Sequence, residues 1–335
     1  HFVSQFYLEG FIDPDNPPFL WLYDKDKQTI VKASTKDAGC RTLFYSFPKQ
    51  DGTVDTNTLE DIFGNLESEV APLFRKIESR EELSNDERSA VSYYLALALT
   101  RVPNFRSNIE SHHAQVLREI GMLMARKNGF EQIKDKLAKE GKPVDEELHA
   151  KMVEIMKKGE FDVQVSPHYS IDHFLRMTVE LAPILHKMYW TYLFAKGRYR
   201  FITSDNPVSY ADPTHDPKAL HGVGLATRNV EVTFPVTQEM AIFASWDDGG
   251  NLYQRATEAT VRAINVRTIA NARRFVYSSF PDEGFAKLVW EYTGTAPTAK
   301  LEVLHKEDRS FLIFKGTALK DQANIKQLAY GSTRR

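Results

Sequence analysis

The chain has 335 residues, 42% apolar and 26% charged, with 43 basic against 45 acidic side chains and a formal charge of −2. That is enough apolar surface for one large domain or two packed ones and excludes a disordered chain, while the charge balance excludes global steering toward nucleic acid or anionic lipid without a local basic patch. A single cysteine, Cys40, excludes an internal disulfide, a cysteine-based zinc cage and an iron–sulfur cluster and points to the cytoplasm, and apolar runs such as 93–99 and 189–195 are far shorter than the roughly 20 residues of a membrane span.

The aromatic-rich stretch 2–11 runs into Asp13-Pro14-Asp15-Asn16-Pro17-Pro18, which breaks any helix and predicts a turn. Residues 19–23 and 29–33, joined by the polar turn Asp24-Lys25-Asp26-Lys27-Gln28, predict a β-hairpin, and Phe44-Tyr45 closes this N-terminal β-unit. Apolar residues at helical spacing over 59–80 predict an amphipathic helix disturbed near Pro72. Ser84-Asn85-Asp86-Glu87 caps a second helix, 86–100, apolar enough to be surrounded in the core. Residues 105–127 and 131–158 predict long helices parted by Asn128-Gly129. The second, charged and broken at Gly141-Lys142-Pro143, is expected to be an exposed excursion. Ser166-Pro167 opens a helix predicted to continue through Ala195 with a kink at Pro183.

Beyond Gly197 the pattern changes to short β-branched and aromatic runs at 200–203, 230–236, 240–246 and 273–278, with helices at 254–272 and 281–293 and further strands at 301–305 and 311–314. The expected fold class is α+β. It is a helix-rich single domain over 1–335, with a sheet built from N- and C-terminal strands on a helical layer.

Four segments combine polar residues with backbone punctuation. His1 and Gln5, four apart, would share one face of a helical turn and could bind one ligand, or could satisfy nearby backbone. Arg101 and Arg106 around Pro103 could clamp a phosphate or carboxylate, or serve as partners of a helix C-terminus. Thr203-Ser204-Asp205-Asn206-Pro207 is a strand running into a polar turn, where a rigid sheet displays a base or metal-ligating carboxylate, and it is equally good turn chemistry. Asn265, unfavourable inside a helix, implies a specific hydrogen bond, and Arg273-Arg274 sit where helix becomes strand. Phosphate-loop, dinucleotide, His-Glu-x-x-His and Gly-x-Ser-x-Gly motifs are missing, and the adjacent His112 and His113 would point about 100° apart on a helix.

His1-x-x-x-Gln5-x-Tyr7-Leu8-x-x-Phe11, Arg101-x-Pro103-x-Phe105-Arg106, Thr203-Ser204-Asp205-Asn206-Pro207-Val208 and Asn265 before Ala272-Arg273, in this order, resemble the domain-of-unknown-function family numbered 4238, which is mainly bacterial. Ser4 stands where a proline is frequent and Val102 where a small polar residue is usual. The resemblance implies an intact single domain and this choice of residues, and implies no reaction.

From residue chemistry the leading expectation is a hydrolase, a phosphoesterase or nuclease, acting on a phosphate-bearing nucleotide or nucleic acid. Asp205 would be base or ligand of a divalent metal, and His1 its proton-transfer partner. Arg101 and Arg106 would hold the anion, while Gln5, Ser204, Asn206 and Asn265 would contact and orient substrate. The rival is a non-catalytic binding or interaction module, with a protein partner or a second copy, in which the same residues form a structural hydrogen-bond network. An open pocket around His1, Arg101 and Asp205 would favour the enzyme, and dry, mutually satisfied groups the module.

Overall fold

A computed structural model describes residues 1–330 other than 50, 143, 217, 218, 220, 221, 251, 307, 308 and 317–322. The N-terminal segment winds into α1 (Gln5–Leu8) and a 3₁₀ turn (Glu9–Phe11), whose Tyr7, Leu8 and Phe11 are buried. The predicted hairpin forms as β1 (Phe19–Asp24) and β2 (Thr29–Ser34), antiparallel with Trp21 opposite Lys32. Phe44 and Tyr45 lie in a turn, not a strand, and a two-residue ladder follows, β3 (Phe47–Pro48) with β4 (Val54–Asp55).

Helix α2 (Thr58–Glu78) begins one residue before its predicted apolar periodicity, and α3 (Asn85–Thr100) begins directly after the predicted Ser84 cap. At α3, Ser84 accepts from the Glu87 amide while the Glu87 carboxylate accepts from the Ser84 amide, a reciprocal cap that satisfies two otherwise orphaned donors. Then come α4 (Pro103–Arg126), α5 (Gly129–Lys139), α6 (Glu146–Lys158) and α7 (Pro167–Lys187). α5 buries no residue and α6 buries His149; Pro143, expected to break this stretch, lies outside the described residues. α6 ends at Gly159, whose φ of 71° suits glycine, and whose missing side chain would sit 3.0 Å from Met122 Sδ.

α7 stops at Lys187 rather than Ala195. The apolar run beyond it is β5 (Tyr189–Phe194), paired along its length with β9. Elements β6 (Thr203–Ser204), β7 (Ser209–Ala211), β8 (Glu231–Pro235), β9 (Met240–Ser245), β10 (Tyr253–Arg255), α8 (Glu258–Asn271), β11 (Phe275–Ser278) and α9 (Glu283–Glu291) follow, then the hairpin β12 (Ala299–Lys306) and β13 (Arg309–Gly316), and α10 (Ile325–Tyr330).

The architecture is α+β, and the strands sort into more than the one sheet expected. Order β2-β1-β11-β6 joins N- and C-terminal strands, and a five-stranded sheet, β10-β5-β9-β8-β7, stands beside it. Strand β9 is buried throughout, and its alternation divides two cores. Met240, Ile242 and Ala244 join residues of α2, α3 and α7, while Ala241 and Phe243 pack with Val261 and Ile264 of α8 and Ile325 of α10. A buried ion pair pins α10 to the sheet. Arg267 Nη2 donates to Glu231 Oε2 at 2.6 Å, and the Glu231 carboxylate accepts the Ile325 and Lys326 amides.

Candidate functional site

Ser4, immediately before α1, is fully buried, and its hydroxyl donates to Glu67 Oε1 at 2.7 Å. With that proton committed, the Tyr94 hydroxyl 2.9 Å away donates to Ser4 Oγ, which also accepts from Arg101 Nη2. Arg101, at the end of α3 and 1% exposed, extends its other terminal nitrogen to Glu67 Oε1 at 2.7 Å. Burial works against its charge, but the Tyr45, Glu67 and Tyr94 oxygens outweigh it and hold the guanidinium above its ordinary pKa. Its fork is therefore spent inside the protein, with Nε left unpartnered.

Arg106, one turn into α4 and buried, donates to Ser170 Oγ through Nε and Nη2 at 3.2 and 3.0 Å and to the Phe44 carbonyl through Nη1, stacking 4.4 Å from the Phe44 ring. The two arginines expected to clamp one anion thus point to different internal partners.

The Asp205 turn is equally closed. Its Oδ1 accepts the Arg273 amide at 2.9 Å, and Oδ2 accepts the Arg274 and Phe275 amides at 2.8 and 3.0 Å, so one carboxylate satisfies the three backbone donors where α8 turns into β11. Asp205 is 5% exposed. Burial raises its pKa, and the three amides with Lys25 pull against that rise. Ser204 Oγ donates to the Asn206 carbonyl and accepts its amide, and Asn206 and Asn271 exchange side-chain amide bonds with each other's carbonyls. Asn265 makes the specific bonds its helical setting implies, accepting the Ile202 amide and donating to the Arg200 carbonyl.

These motifs adjoin in space. Tyr7, one turn beyond Ser4, shares a 2.6 Å hydrogen bond with Thr203, and Arg273 Nη1 donates to the Pro103 carbonyl and Ser107 Oγ beyond Arg101. His1 reaches this knot only through its backbone carbonyl, which with that of Arg101 accepts from the Tyr45 hydroxyl. His1 precedes the helix, so it does not share a helical face with Gln5; its Nε2 donates to the Lys36 carbonyl at 2.9 Å, and Gln5 is exposed. Clefts of about 510 Å³ beside Arg88 and Trp190 and about 410 Å³ beside Phe6 and Glu78 are lined by none of the eight predicted site residues.

Two features escape local sequence patterns. Lys25, in the hairpin turn, is fully buried; its ammonium donates to the Ile269 and Ala272 carbonyls at the end of α8, and burial lowers its pKa to about 8, against the opposing pull of Asp205 and Asp26. On the α4–α7 surface His113 bonds the Tyr169 hydroxyl at 3.0 Å, with ring centroids of His112 and His173 at 5.5 and 5.7 Å from that of His113. Burial lowers the pKa of both His112 and His113, and repulsion adds to it, from His113 and His173 at His112 and from His173 at His113. Tyr169 and His173, four apart on α7, carry the available signal, but their meeting with α4 does not show in sequence. Among the described residues no three His, Cys, Asp or Glu side chains are placed to hold one metal ion.

A family model described as "Protein of unknown function (DUF4238)" matches residues 1–282. No curated protein and no solved structure matches the chain.

Proposed function

Since the chain belongs to the DUF4238 family, a membership that carries no activity, we propose that it is a non-catalytic binding or interaction module whose polar motifs are scaffold. The observation that carries this is the Asp205 carboxylate, both oxygens of which are occupied by the amides of Arg273, Arg274 and Phe275 in a 5% exposed position. A general base must reach the proton it removes, and a metal-ligating carboxylate must offer an oxygen to the ion. The spent fork of Arg101 supports the same conclusion, since bidentate anion recognition needs free, outward N–H groups. The single, exposed Cys40 suits the reducing cytoplasm as its place of action, and among the described residues no helix is long and apolar enough to cross a membrane.

A phosphoester hydrolase is the second reading, favoured by the proton-transferring side chains gathered at His113, Tyr169 and His173. One assay separates the two: hydrolysis of bis(p-nitrophenyl) phosphate and of a nucleotide mixture, with magnesium and with manganese, by the parent, Asp205→Asn and His113→Ala. The module has no turnover above buffer. Turnover lost in His113→Ala supports the second reading, and turnover lost in a folded Asp205→Asn returns catalysis to the Asp205 turn.

A further inference from the structure

We propose that the outward face of α6 is a docking surface for a second copy of this chain, the two α6 helices packing antiparallel about a two-fold axis near Met152. α6 turns His149 inward, 7% exposed, with Val153 and Met156 half-buried beside it. Its other large apolar side chains, Leu148, Met152 and Ile155, are 67%, 38% and 43% exposed. Their spacing of four and three places them in one stripe along the helix, which separates them from the singly scattered apolar residues of an ordinary surface.

Charge identifies the occupant. Along one flank of the stripe runs the row Glu147, Lys151, Glu154, Lys158, joined within the helix by exposed ion pairs Lys151–Glu147 and Lys158–Glu154 at 2.6 and 2.7 Å. Read backward, the row has the opposite sign at every place. In an antiparallel pair, same-flank residues of two helices meet, so Glu147 faces the partner's Lys158 and Lys151 faces the partner's Glu154, while Leu148 lies against the partner's Ile155. A parallel pair brings opposite flanks together, so the row would meet the flank of His149, Val153 and Met156 and find no complementary charge, and a uniformly acidic or basic partner matches only half the row. Antiparallel helix dipoles add to the preference, and a residue facing its equivalent is the signature of an isologous two-fold contact. The helix spans roughly 20 Å, so the interface is small and the dimer weak and concentration-dependent.

The test is sedimentation velocity over a wide concentration range, with circular dichroism verifying that each variant keeps its helix. The parent is expected to move from its 38.3 kDa monomer toward twice that mass. Met152→Glu sets two carboxylates against each other at the axis and should weaken association about tenfold or more. The double variants Glu147→Lys with Glu154→Lys, and Lys151→Glu with Lys158→Glu, should each be monomeric alone and form a heterodimer when mixed. Ile62→Glu, at a 53% exposed apolar site on α2, should leave association unchanged. A parent that stays monomeric, a mixture that fails to associate, or an Ile62→Glu effect equal to that of Met152→Glu would each overturn the proposal.

Discussion

Replacing Asp205 by asparagine exchanges one carboxylate oxygen for an NH₂ group and leaves the shape almost unchanged. The amide keeps most by placing its oxygen at Oδ2, where the Arg274 and Phe275 amides donate at 2.8 and 3.0 Å. Its NH₂ then confronts the Arg273 amide, which donates to Oδ1 at 2.9 Å in the parent. One charge-assisted bond, worth about 1.5–3 kcal/mol, is lost, and a buried donor is left facing a donor at a cost of about 1–3 kcal/mol. Relief from burying a charge offsets part of this, leaving a net loss of about 3 kcal/mol, a large fraction of a typical stability of about 5–15 kcal/mol. The flipped amide forfeits two bonds and fares worse. Urea unfolding should show the midpoint falling with an unchanged slope. A loss below about 1 kcal/mol would refute the reasoning, because that is all an ordinary turn cap gives up on such an exchange.

Arg101→Lys keeps the charge but cannot reach Glu67 and Ser4 with one planar fork, so it should cost about 2–4 kcal/mol in the same assay; parent-like stability would count against the buried knot. Lys25, with its folded pKa lowered to about 8, binds fewer protons than in the unfolded chain between there and about pH 10.4, so stability should rise with pH across that window relative to Lys25→Met. Comparison with the variant is needed because buried tyrosines such as Tyr7 and Tyr277, whose pKa burial raises, pull stability the other way above about pH 10; equal pH profiles would contradict the assignment. Gly10→Ala would place its Cβ 2.9 Å from both the Val236 carbonyl oxygen and Thr237 Cγ2, so it should destabilise by about 1–3 kcal/mol, and a neutral result in thermal melting would mean the contact yields freely.

What could be read from sequence was local. The first hairpin shows itself in two apolar runs around a polar turn, and the α3 cap in Ser84 and Glu87 at the spacing that lets each bond the other's backbone. Residues 189–194 misled because a strand buried on both faces has no period to tell it from a helix. The end of α7 is set from elsewhere in the chain, where Arg88, about a hundred residues earlier, donates to the His186 and Met188 carbonyls, and by Trp190, which donates back to the Leu185 carbonyl. Asp205 was legible as a special residue, since a carboxylate at a strand-to-turn junction always has a use. Which use was not legible, because its three donors lie 68–70 residues further along the chain. The same holds for Ser4 and Arg101, 97 residues apart.

Hydrogen exchange at the amides of Arg273, Arg274 and Phe275, with and without a nucleotide mixture and magnesium or manganese, tests most directly whether the Asp205 turn is scaffold or site. If it is scaffold, these amides open only with global unfolding and their protection does not respond to the added phosphate and metal. Amides that exchange readily in the free protein and become protected on addition of nucleotide and metal would contradict it, and would restore Asp205 as a ligand-binding carboxylate.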